Sequence, residues 1–344
     1  MQELPESAAR ATASTVDEAF AKFLKNKVNL DPDDSKGART SRDWLRGHLH
    51  GFDDAHADFP RRYTDQDIDF GSFARKTKIR ELDDVDLIHC LVADGATYLD
   101  HGSYVSITTA PGTRLAGLCF QDSNLLSSTR VLNKFKKHLD EVPQYRAADV
   151  KRNAQAVTLE LASYAWNFDI VPGFFTAKEA NGRNYYIIPN GNGHWMKTDP
   201  RLDRDRASAV NQKHAGRVLS ALRLMKFWNR RHTAPFVPSY VFENMVLTHY
   251  GNRMDEVSQY VDMEVPKVLE YAATAIYHPI QDPKGIQGDL NELGFDQKVK
   301  VSGRASDDAK KARAAWELES NGDHKSAIGK WREVFGPSFP SDNA

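Results

Sequence analysis

The 344-residue chain has little cysteine, no long apolar run and almost no net charge. Its two cysteines, Cys90 and Cys119, are too few for a zinc site made of cysteines or for a disulfide framework. No run approaches the length of a membrane-spanning helix, and Met1–Thr15 lacks the apolar core of a signal peptide. The formal net charge of −1 gives no general attraction to nucleic acid or to anionic lipid. We therefore expect a soluble cytoplasmic protein with no membrane partner.

The length of the chain is sufficient for two domains, each with its own apolar core. Before residue 200, several apolar runs predict strands, including Gln155–Leu161 and Asn167–Phe175. Beyond residue 200, apolar residues follow helical spacing. We therefore predict a strand-containing domain with N-terminal helices over residues 1–200 and a helical domain over residues 201–344.

Local patterns predict several individual elements. Thr15 and Glu18 have the spacing of a capping box at the start of a helix. A further helix is predicted over Ser127–Asp140, and one long amphipathic helix along Val210–Trp228. The proline, glycine and aspartate residues of Leu30–Thr40 indicate a linker.

Asp84 and Asp86 are acidic residues in an unusual setting. The spacing alone is weak evidence, because the chain has 47 acidic residues. This pair, however, opens an apolar run over Leu87–Val92 that is typical of a buried strand, and residues at i and i+2 of a strand project from one face. The same spacing recurs, without such a setting, at Asp31/Asp33, Asp65/Asp67, Asp67/Asp69 and Asp203/Asp205.

Asp169 is a third carboxylate inside a strongly apolar segment, between Phe168 and Ile170. Such a carboxylate is costly unless a metal ion, a charged partner or backbone N–H groups compensate it. Beside Asp84 and Asp86 on a neighbouring strand, it would complete a set of oxygen ligands suited to Mg²⁺. The alternative is an isolated buried aspartate bound by backbone N–H groups.

Gly71 and Ser72, upstream of the aspartates, have the chemistry that a triphosphate needs. The glycine permits close backbone approach, and Ser72 adds a hydroxyl near the N–H groups of a helix start. With the carboxylates they indicate metal-assisted attack of a ribose hydroxyl on an α-phosphate, with pyrophosphate leaving. Asp84 and Asp86 would bridge two ions, and Asp169 would hold the ion beside the nucleophile and accept the proton.

Three residues beyond position 200 are further candidates. Lys226 would reach the phosphates, Ser239 would touch the γ-phosphate from a helix start, and Tyr240 would stack on a base. Each also has a structural interpretation: a solvent-facing charge for Lys226, a helix cap for Ser239 and a packing residue for Tyr240.

The order of these motifs resembles that of the bacterial cGAS/DncV-like nucleotidyltransferases, relatives of cyclic GMP-AMP synthase and oligoadenylate synthetase in the polymerase-β-like superfamily. The similarity covers roughly residues 55–250. It consists of Gly-Ser at 71–72, Asp-x-Asp at 84–86, Asp-Ile-Val-Pro at 169–172, Arg-Leu-Met-Lys-x-Trp-Asn at 223–229 and Pro-Ser-Tyr-x-x-Glu at 238–243.

The resemblance implies an α+β fold, with a polymerase-β-like core containing a mixed sheet and a helical second domain. It implies synthesis of a cyclic di- or trinucleotide second messenger from triphosphates such as ATP and GTP, in anti-phage signalling through a downstream effector. Its cofactor would be two Mg²⁺ ions, with Mn²⁺ as the alternative. By motif, Gly71, Ser72, Lys226 and Ser239 would contact phosphate, Tyr240 the donor base, and the carboxylates of Asp84, Asp86 and Asp169 the metal.

The chain departs from the animal synthase because it has no Cys/His cluster of the kind that binds zinc in the DNA-sensing insertion. Activation by DNA is therefore not expected. In some such systems a partner conjugates the enzyme through its last residue, here Ala344, which makes a regulatory or conjugating partner at the C-terminus one interpretation and a frayed tail the other.

Two other functions remain open from the sequence. A transferase that extends RNA ends or modifies a small-molecule hydroxyl would share the carboxylates, and a non-catalytic scaffold would only sense nucleotides. The sequence leaves undetermined the choice of base, the 2′ or 3′ linkage, the ring size, the activation signal and the oligomeric state.

Overall fold

The structure, a computed structural model, describes residues 12–231 and 236–342. These residues form two compact units. The sheet unit consists of Pro32–Lys76 and Glu81–Arg204, and the helical unit of the described residues within Met1–Asp31, Thr77–Arg80 and Asp205–Ala344. The division into these units reflects which residues pack together. The predicted domain boundary at residue 200 concerns parts that fold independently, and it remains a prediction.

The strands are short, and most belong to the sheet unit. In chain order they are β1 (Thr12–Ala13), β2 (Ile68–Phe70), β3 (Asp84–Leu91), β4 (Thr97–Asp100), β5 (Val105–Thr108), β6 (Asp149–Asn153), β7 (Ala156–Glu160), β8 (Asn167–Phe175), β9 (Tyr186–Pro189), β10 (Trp195–Thr198) and β11 (Ser341–Asp342).

The helices range from a single turn to 26 residues. In chain order they are α1 (Val16–Phe23), α2 (Pro32–Ala55), α3 (Gly71–Ala74), α4 (Ser128–Asp140), α5 (Pro200–Lys213), α6 (Val218–Arg230), α7 (Ser239–Asn252), α8 (Val265–Ala275), α9 (Phe295–Ser320) and α10 (His324–Phe335). A π-helical turn, Leu24–Val28, extends α1, and 3₁₀ turns cover Arg114–Leu118, Pro143–Tyr145 and Val261–Met263.

The described part of the sheet unit contains a nine-stranded mixed sheet with the order β2-β3-β8-β9-β10-β5-β4, and β7 and β6 branch from β8. β3 and β8 run parallel in register from Asp84↔Asn167 to Leu91↔Phe174, and the other described pairs of this sheet are antiparallel. This arrangement confirms the expected α+β fold with a mixed sheet.

The two central strands present different chemistry on their two faces, since side chains alternate along a strand. One face carries the buried residues Val85, Leu87, Phe168 and Ile170, which are at most 1% exposed. On the other face, an apolar cluster that includes Ile88, Cys90 and Val171 is buried further along the strands. The acidic residues precede this cluster.

The core of the helical unit joins residues far apart in the sequence. Phe20 of α1 packs edge-on against Trp331 of α10 and against Phe339, with both ring centroids 4.9 Å away. β1 and β11 pair in parallel, with Thr12 opposite Ser341. The described N-terminal segment is therefore part of the same core as α10.

Several local predictions are confirmed. Thr15 caps α1 by accepting a hydrogen bond from the Glu18 N–H, and Ser127 caps α4. β8 spans the predicted range Asn167–Phe175, and both cysteines are buried and free.

Two predictions are wrong. Leu30–Thr40 is not a linker, because α2 already begins at Pro32; proline is favourable at the first helical position, and Asp33 and Asp34 suit the first turn. Val210–Trp228 is not one helix, since a turn containing Gly216 at φ +82° separates α5 from α6. Among residues 12–231 and 236–342, no helix combines the length and apolar composition that crossing a membrane requires.

Candidate active site

The register of β3 and β8 brings the predicted aspartates onto one sheet face. Asp86 is the in-register neighbour of Asp169, and Asp84 is the neighbour of Asn167. Registered residues of parallel strands project from the same side, as do residues two apart on one strand. Asp84, Asp86 and Asp169 therefore lie on the same face, half-buried at the end where the apolar cluster stops.

Gly71 lies directly against one of these carboxylates. β2 pairs with β3 so that Phe70 is opposite Asp86, and α3 starts at the next residue. Gly71 has φ +71°, and a Cβ at this position would lie 1.7 Å from Asp86 Oδ2. Only glycine combines this backbone conformation with the close approach. Ser72 follows in α3, so the Gly-Ser pair and the aspartates belong to one local structure.

Thr158 belongs to the same group and was missed by the sequence analysis. It is opposite Asp169 in the β7–β8 pair, and its hydroxyl donates to Asp169 Oδ1 over 2.6 Å. A hydrogen bond to a carboxylate is among the stronger ones and fixes its orientation. The alternation of the predicted strand over Gln155–Leu161 would have placed Thr158 on the right face, but the pairing register is a tertiary property.

Asp67, His50 and His89 form a separate cluster. Asp67 Oδ2 lies 2.8 Å from His50 Nε2 and 3.1 Å from His89 Nδ1, and Oδ1 accepts from the Cys90 N–H. Burial alone would raise the pKa of Asp67, but the hydrogen bonds from His89, Cys90 and His50 lower it to about 2. His89 is on the face of β3 opposite to Asp84 and Asp86, so this cluster is not part of the carboxylate group.

In the helical unit, Lys226 is buried rather than solvent-facing. Its ammonium is 2.9 Å from Glu243 Oε2, and the Thr77 hydroxyl donates to the same oxygen over 2.8 Å. The Lys226 and Glu243 side chains are 6% and 2% exposed. This lysine therefore has a charged protein partner, and its contact with a triphosphate remains a prediction.

Ser239 and Tyr240 open α7 in the helical unit. Pro238 is the N-cap residue, so Ser239 is the exposed first residue of the helix and not its cap. The Lys284 ammonium lies 4.4 Å from the centroid of the half-exposed Tyr240 ring and also donates to the Tyr240 hydroxyl. Base stacking by Tyr240 remains a prediction.

Comparison with known proteins identifies the family to which the chain belongs. No protein-family model matches the chain. A probable cyclic nucleotide synthase from Bacillus cereus (strain VD146) is 42% identical over 328 residues, which cover 95% of this chain and 98% of the relative. The chain belongs to the cGAS/DncV-like nucleotidyltransferases.

A more distant relative of this nucleotidyltransferase is the cyclic AMP-AMP-AMP synthase of Escherichia coli (strain MS 115-1). It is 24% identical over 212 residues, which cover 61% of this chain and 56% of the relative.

Solved structures agree with the nucleotidyltransferase fold. CdnC of E. coli MS115-1, solved with ATP, has a TM-score of 0.67 at 19% identity, covering 94% of this chain and 98% of that one. CdnC in complex with HORMA-deltaN has a TM-score of 0.68 with the same identity and coverage. E. coli DncV bound to 3′-deoxy GTP has a TM-score of 0.61 at 12% identity, covering 91% of this chain and 93% of that one.

Within this nucleotidyltransferase the predicted site residues are divided between the two units. The sheet unit brings together Gly71, Ser72, Asp84, Asp86 and Asp169. The helical unit contains the other three, Lys226, Ser239 and Tyr240. Three residues contact these side chains, Thr158, Glu243 and Lys284, and Thr77 shares the Glu243 carboxylate with Lys226. No local sequence pattern indicates these contacts.

Proposed function

We propose that the chain synthesises a cyclic di- or trinucleotide from nucleoside triphosphates and releases pyrophosphate. The observation that carries this proposal is the register of β3 and β8, which sets Asp86 beside Asp169 on the face that also carries Asp84. The names of the two relatives, a probable cyclic nucleotide synthase and a cyclic AMP-AMP-AMP synthase, support the product class.

Asp84, Asp86 and Asp169 would hold two divalent cations, Mg²⁺ or alternatively Mn²⁺. The donors fit such ions, because three carboxylates on one face are the hard oxygen ligands that Mg²⁺ prefers. Gly71 has no Cβ, so the Asp86 carboxylate can lie directly against the backbone of the Gly-Ser pair. When bound, the cations would lower the pKa of the attacking hydroxyl and offset the charge of the leaving pyrophosphate.

The side chains of the sheet unit have separate tasks in the proposed reaction. Asp169 accepts the proton of a ribose hydroxyl, whose oxygen forms a bond to the α-phosphorus while the bond to pyrophosphate breaks. Thr158 orients Asp169 through its hydrogen bond. The backbone of Gly71 and the hydroxyl of Ser72 contact the terminal phosphates, for which glycine allows the close approach. A second transfer of the same kind closes the ring of a dinucleotide.

The helical unit would supply the remaining contacts with the donor nucleotide. Lys226 and Ser239 contact the triphosphate in this proposal, and Tyr240 stacks on the donor base. The half-exposed ring of Tyr240 supports stacking, which is sequence-tolerant because every base has a π-face. The bound form of CdnC, solved with ATP, supports ATP as one substrate, with GTP as a further candidate.

The biological role that we propose is a second messenger in cytoplasmic anti-phage defence, which acts on a downstream effector. A regulatory protein partner is part of this proposal and is supported by the CdnC complex with HORMA-deltaN. A conjugation of Ala344 concerns a residue outside the described ranges, and that prediction remains as the sequence left it. Activation by DNA is not part of the proposal.

The test is the product formed by the purified chain. We expect the four ribonucleoside triphosphates with MgCl₂ to give pyrophosphate and a cyclic nucleotide, identified by chromatography and mass spectrometry. The Asp84→Ala/Asp86→Ala variant should lose both products and keep its circular dichroism spectrum and melting temperature. The matched control is Asp31→Ala/Asp33→Ala, which removes the same spacing elsewhere and should keep turnover.

Other products would identify the alternatives. Linear extension of an added RNA, or transfer to an added alcohol, without a cyclic product would replace cyclic synthesis by RNA-end or small-molecule transfer. Unchanged turnover in Asp84→Ala/Asp86→Ala would refute the assignment of the carboxylates. Binding of triphosphates without any turnover, with MgCl₂ or MnCl₂ and with a partner protein added, would favour a nucleotide-sensing scaffold. The biological role is tested by plaque counts on bacteria that carry the wild-type or the double-variant gene with its neighbouring genes.

A further inference from the structure

A cavity of about 340 Å³ lies in the sheet unit, and none of the predicted site residues lines it. Its walls come from three segments that are separate in the sequence: α2, the turn Pro143–Tyr145 and the connection between β7 and β8. Its volume falls within the range of about 300 to 1,000 Å³ that is common for small-molecule sites. The cavity is therefore large enough for a ligand of nucleoside size.

Two exposed aromatic rings form the sides of this cavity. Trp44 and Tyr164 are each 43% exposed, so both rings are accessible to a ligand. Each ring rests on a buried one: Trp44 lies edge-on to Tyr145 with centroids 5.4 Å apart, and Tyr164 stacks on Trp166 with centroids 4.7 Å apart. These contacts hold the two rings in position, and an accessible aromatic ring can stack on a planar ligand.

The polar groups around the cavity are uncharged. Gln144 and Ser163 are exposed at its wall, and the amide of Gln144 offers both donors and an acceptor. Among the described residues that line the cavity there is no lysine, arginine, histidine, aspartate or glutamate. A phosphate group is recognised mainly through cationic side chains and aligned N–H groups. The lining therefore favours a neutral ligand with hydrogen-bonding edges.

We propose that this cavity binds the base of a neutral purine nucleoside between Trp44 and Tyr164, with Gln144 reading the edge of the base. The site goes beyond the proposed synthesis, because the ligand carries no triphosphate and does not react. The cavity wall is connected to the strand of Asp169 through Trp166. Trp166 donates from Nε1 to Ser41 in the cavity wall over 3.3 Å and directly precedes β8, the strand of Asp169.

Calorimetric titration of the full chain with adenosine and with guanosine tests the site. We expect saturable binding of at least one nucleoside, and the same affinity in the Asp84→Ala/Asp86→Ala variant. Trp44→Ala and Tyr164→Ala should each weaken binding about tenfold or more, since a base–aromatic stack contributes that much. The matched control is Tyr277→Ala, because Tyr277 is 41% exposed outside this cavity and its loss should not change the affinity.

Two further measurements make the result decisive. Gln144→Ala alters an exposed side chain, so it should fold normally and weaken binding about threefold or more, the loss of a typical hydrogen bond. Adenosine monophosphate should bind no more tightly than adenosine. The proposal is overturned if neither nucleoside binds at millimolar concentration, if Trp44→Ala and Tyr164→Ala bind as the wild type does, or if the phosphate strengthens binding in a Trp44-dependent manner.

Discussion

One carboxylate in each compact unit has a strongly shifted pKa, and the two shifts have opposite directions. Hydrogen bonds from His89, Cys90 and His50 lower the pKa of Asp67 in the sheet unit to about 2, against the effect of its burial. In the helical unit, burial and the charges of Glu319 and Asp17 raise the pKa of Asp262 to about 6. Hydrogen bonds therefore outweigh burial at Asp67, whereas burial and like charges outweigh the backbone hydrogen bonds at Asp262.

The group of Asp84, Asp86 and Asp169 differs from both Asp67 and Asp262. Strand register places these three carboxylates on one face, where they are candidate metal ligands. In the proposed function this arrangement serves the chemistry of the site rather than the stability of the fold. Replacing one of its members should therefore change activity and leave stability intact, and replacing Asp67 should do the reverse.

The largest effect is expected for Asp169→Asn. Pyrophosphate release should fall about a thousandfold, because the proposed proton acceptor and metal ligand is lost and metal assistance is worth several kcal/mol. The free energy of unfolding in urea should stay the same or rise, since one like charge is removed.

The matched variant for this prediction is Asp67→Asn. It loses charge-assisted hydrogen bonds, so the free energy of unfolding should fall by about 2 kcal/mol while turnover is largely kept. A large loss of stability in Asp169→Asn, or full turnover, would contradict the contrast between the two sites.

The next largest effect is expected for Lys226→Met. Its ion pair with Glu243 is buried, and removal of one partner leaves the other charge in the core, so the free energy of unfolding should fall by about 3 kcal/mol. The double variant Lys226→Met/Glu243→Leu should recover most of this loss.

Lys136→Met is the control for this pair, because Lys136 pairs with Asp140 at the surface. Its effect should stay below about 1 kcal/mol, as for other exposed ion pairs. Equal effects of Lys226→Met and Lys136→Met would show that burial does not strengthen the pair.

Gly71→Ala tests the close contact between the Gly-Ser pair and the carboxylates. The new Cβ would overlap Asp86 Oδ2, so the carboxylate must move, and turnover should fall about a hundredfold through this misplacement. Steady-state pyrophosphate release with saturating triphosphate measures the effect.

Gly47→Ala is the appropriate control, since Gly47 lies in α2 and a Cβ there meets no atom within 4 Å. Alanine is the better helix former, so this variant should keep its turnover and gain about 0.5–1 kcal/mol in the free energy of unfolding. Wild-type turnover in Gly71→Ala would mean that the position of Asp86 is unimportant.

The smallest effect concerns pH. The pKa of Asp262 is about 6 in the folded chain and near the ordinary value of 3.8 after unfolding, so the folded state binds the proton more tightly. The stabilisation of the folded state by this proton is greatest below about pH 4. The free energy of unfolding should fall by about 2 kcal/mol as the pH rises from about 4 to about 6. Unfolding of wild type and Asp262→Asn across this range measures the difference.

Asp67 should show the opposite dependence of stability on pH in the same titration. With a folded pKa of about 2, its stabilisation is complete above about pH 4 and is lost as the pH falls towards 2. A constant difference between wild type and Asp262→Asn from pH 4 to 6 would show that Asp262 does not titrate as described.

Much of the sheet unit could be predicted from the sequence, because its central strands carry strong local signals. The apolar run after Asp86 and the segment Asn167–Phe175 predicted β3 and β8, and the motif order gave the family before any geometry was known. The pairing of Asp86 with Asp169 was expected only as proximity, since register depends on how the strands meet. For the same reason Thr158 escaped notice, although its strand was predicted.

The errors in the helical regions have a different origin. Pro32 was interpreted as a sign of a linker, although the same residue is favourable at the start of a helix when acidic residues follow. The turn at Gly216 interrupts an apolar period that continues on both sides, so the period alone could not reveal it. The partnership of Lys226 with Glu243 is a contact between α6 and α7, which no local pattern specifies.

The aromatic contacts of Phe20 have a consequence during synthesis on the ribosome. Its partners Trp331 and Phe339 are translated about 300 residues later, which at roughly 5–20 residues per second is a delay of about 15 to 60 s. Throughout that interval Phe20 lacks these two aromatic partners. We therefore expect the yield of the chain in the cell to respond to translation speed more than the stability of the finished protein would suggest.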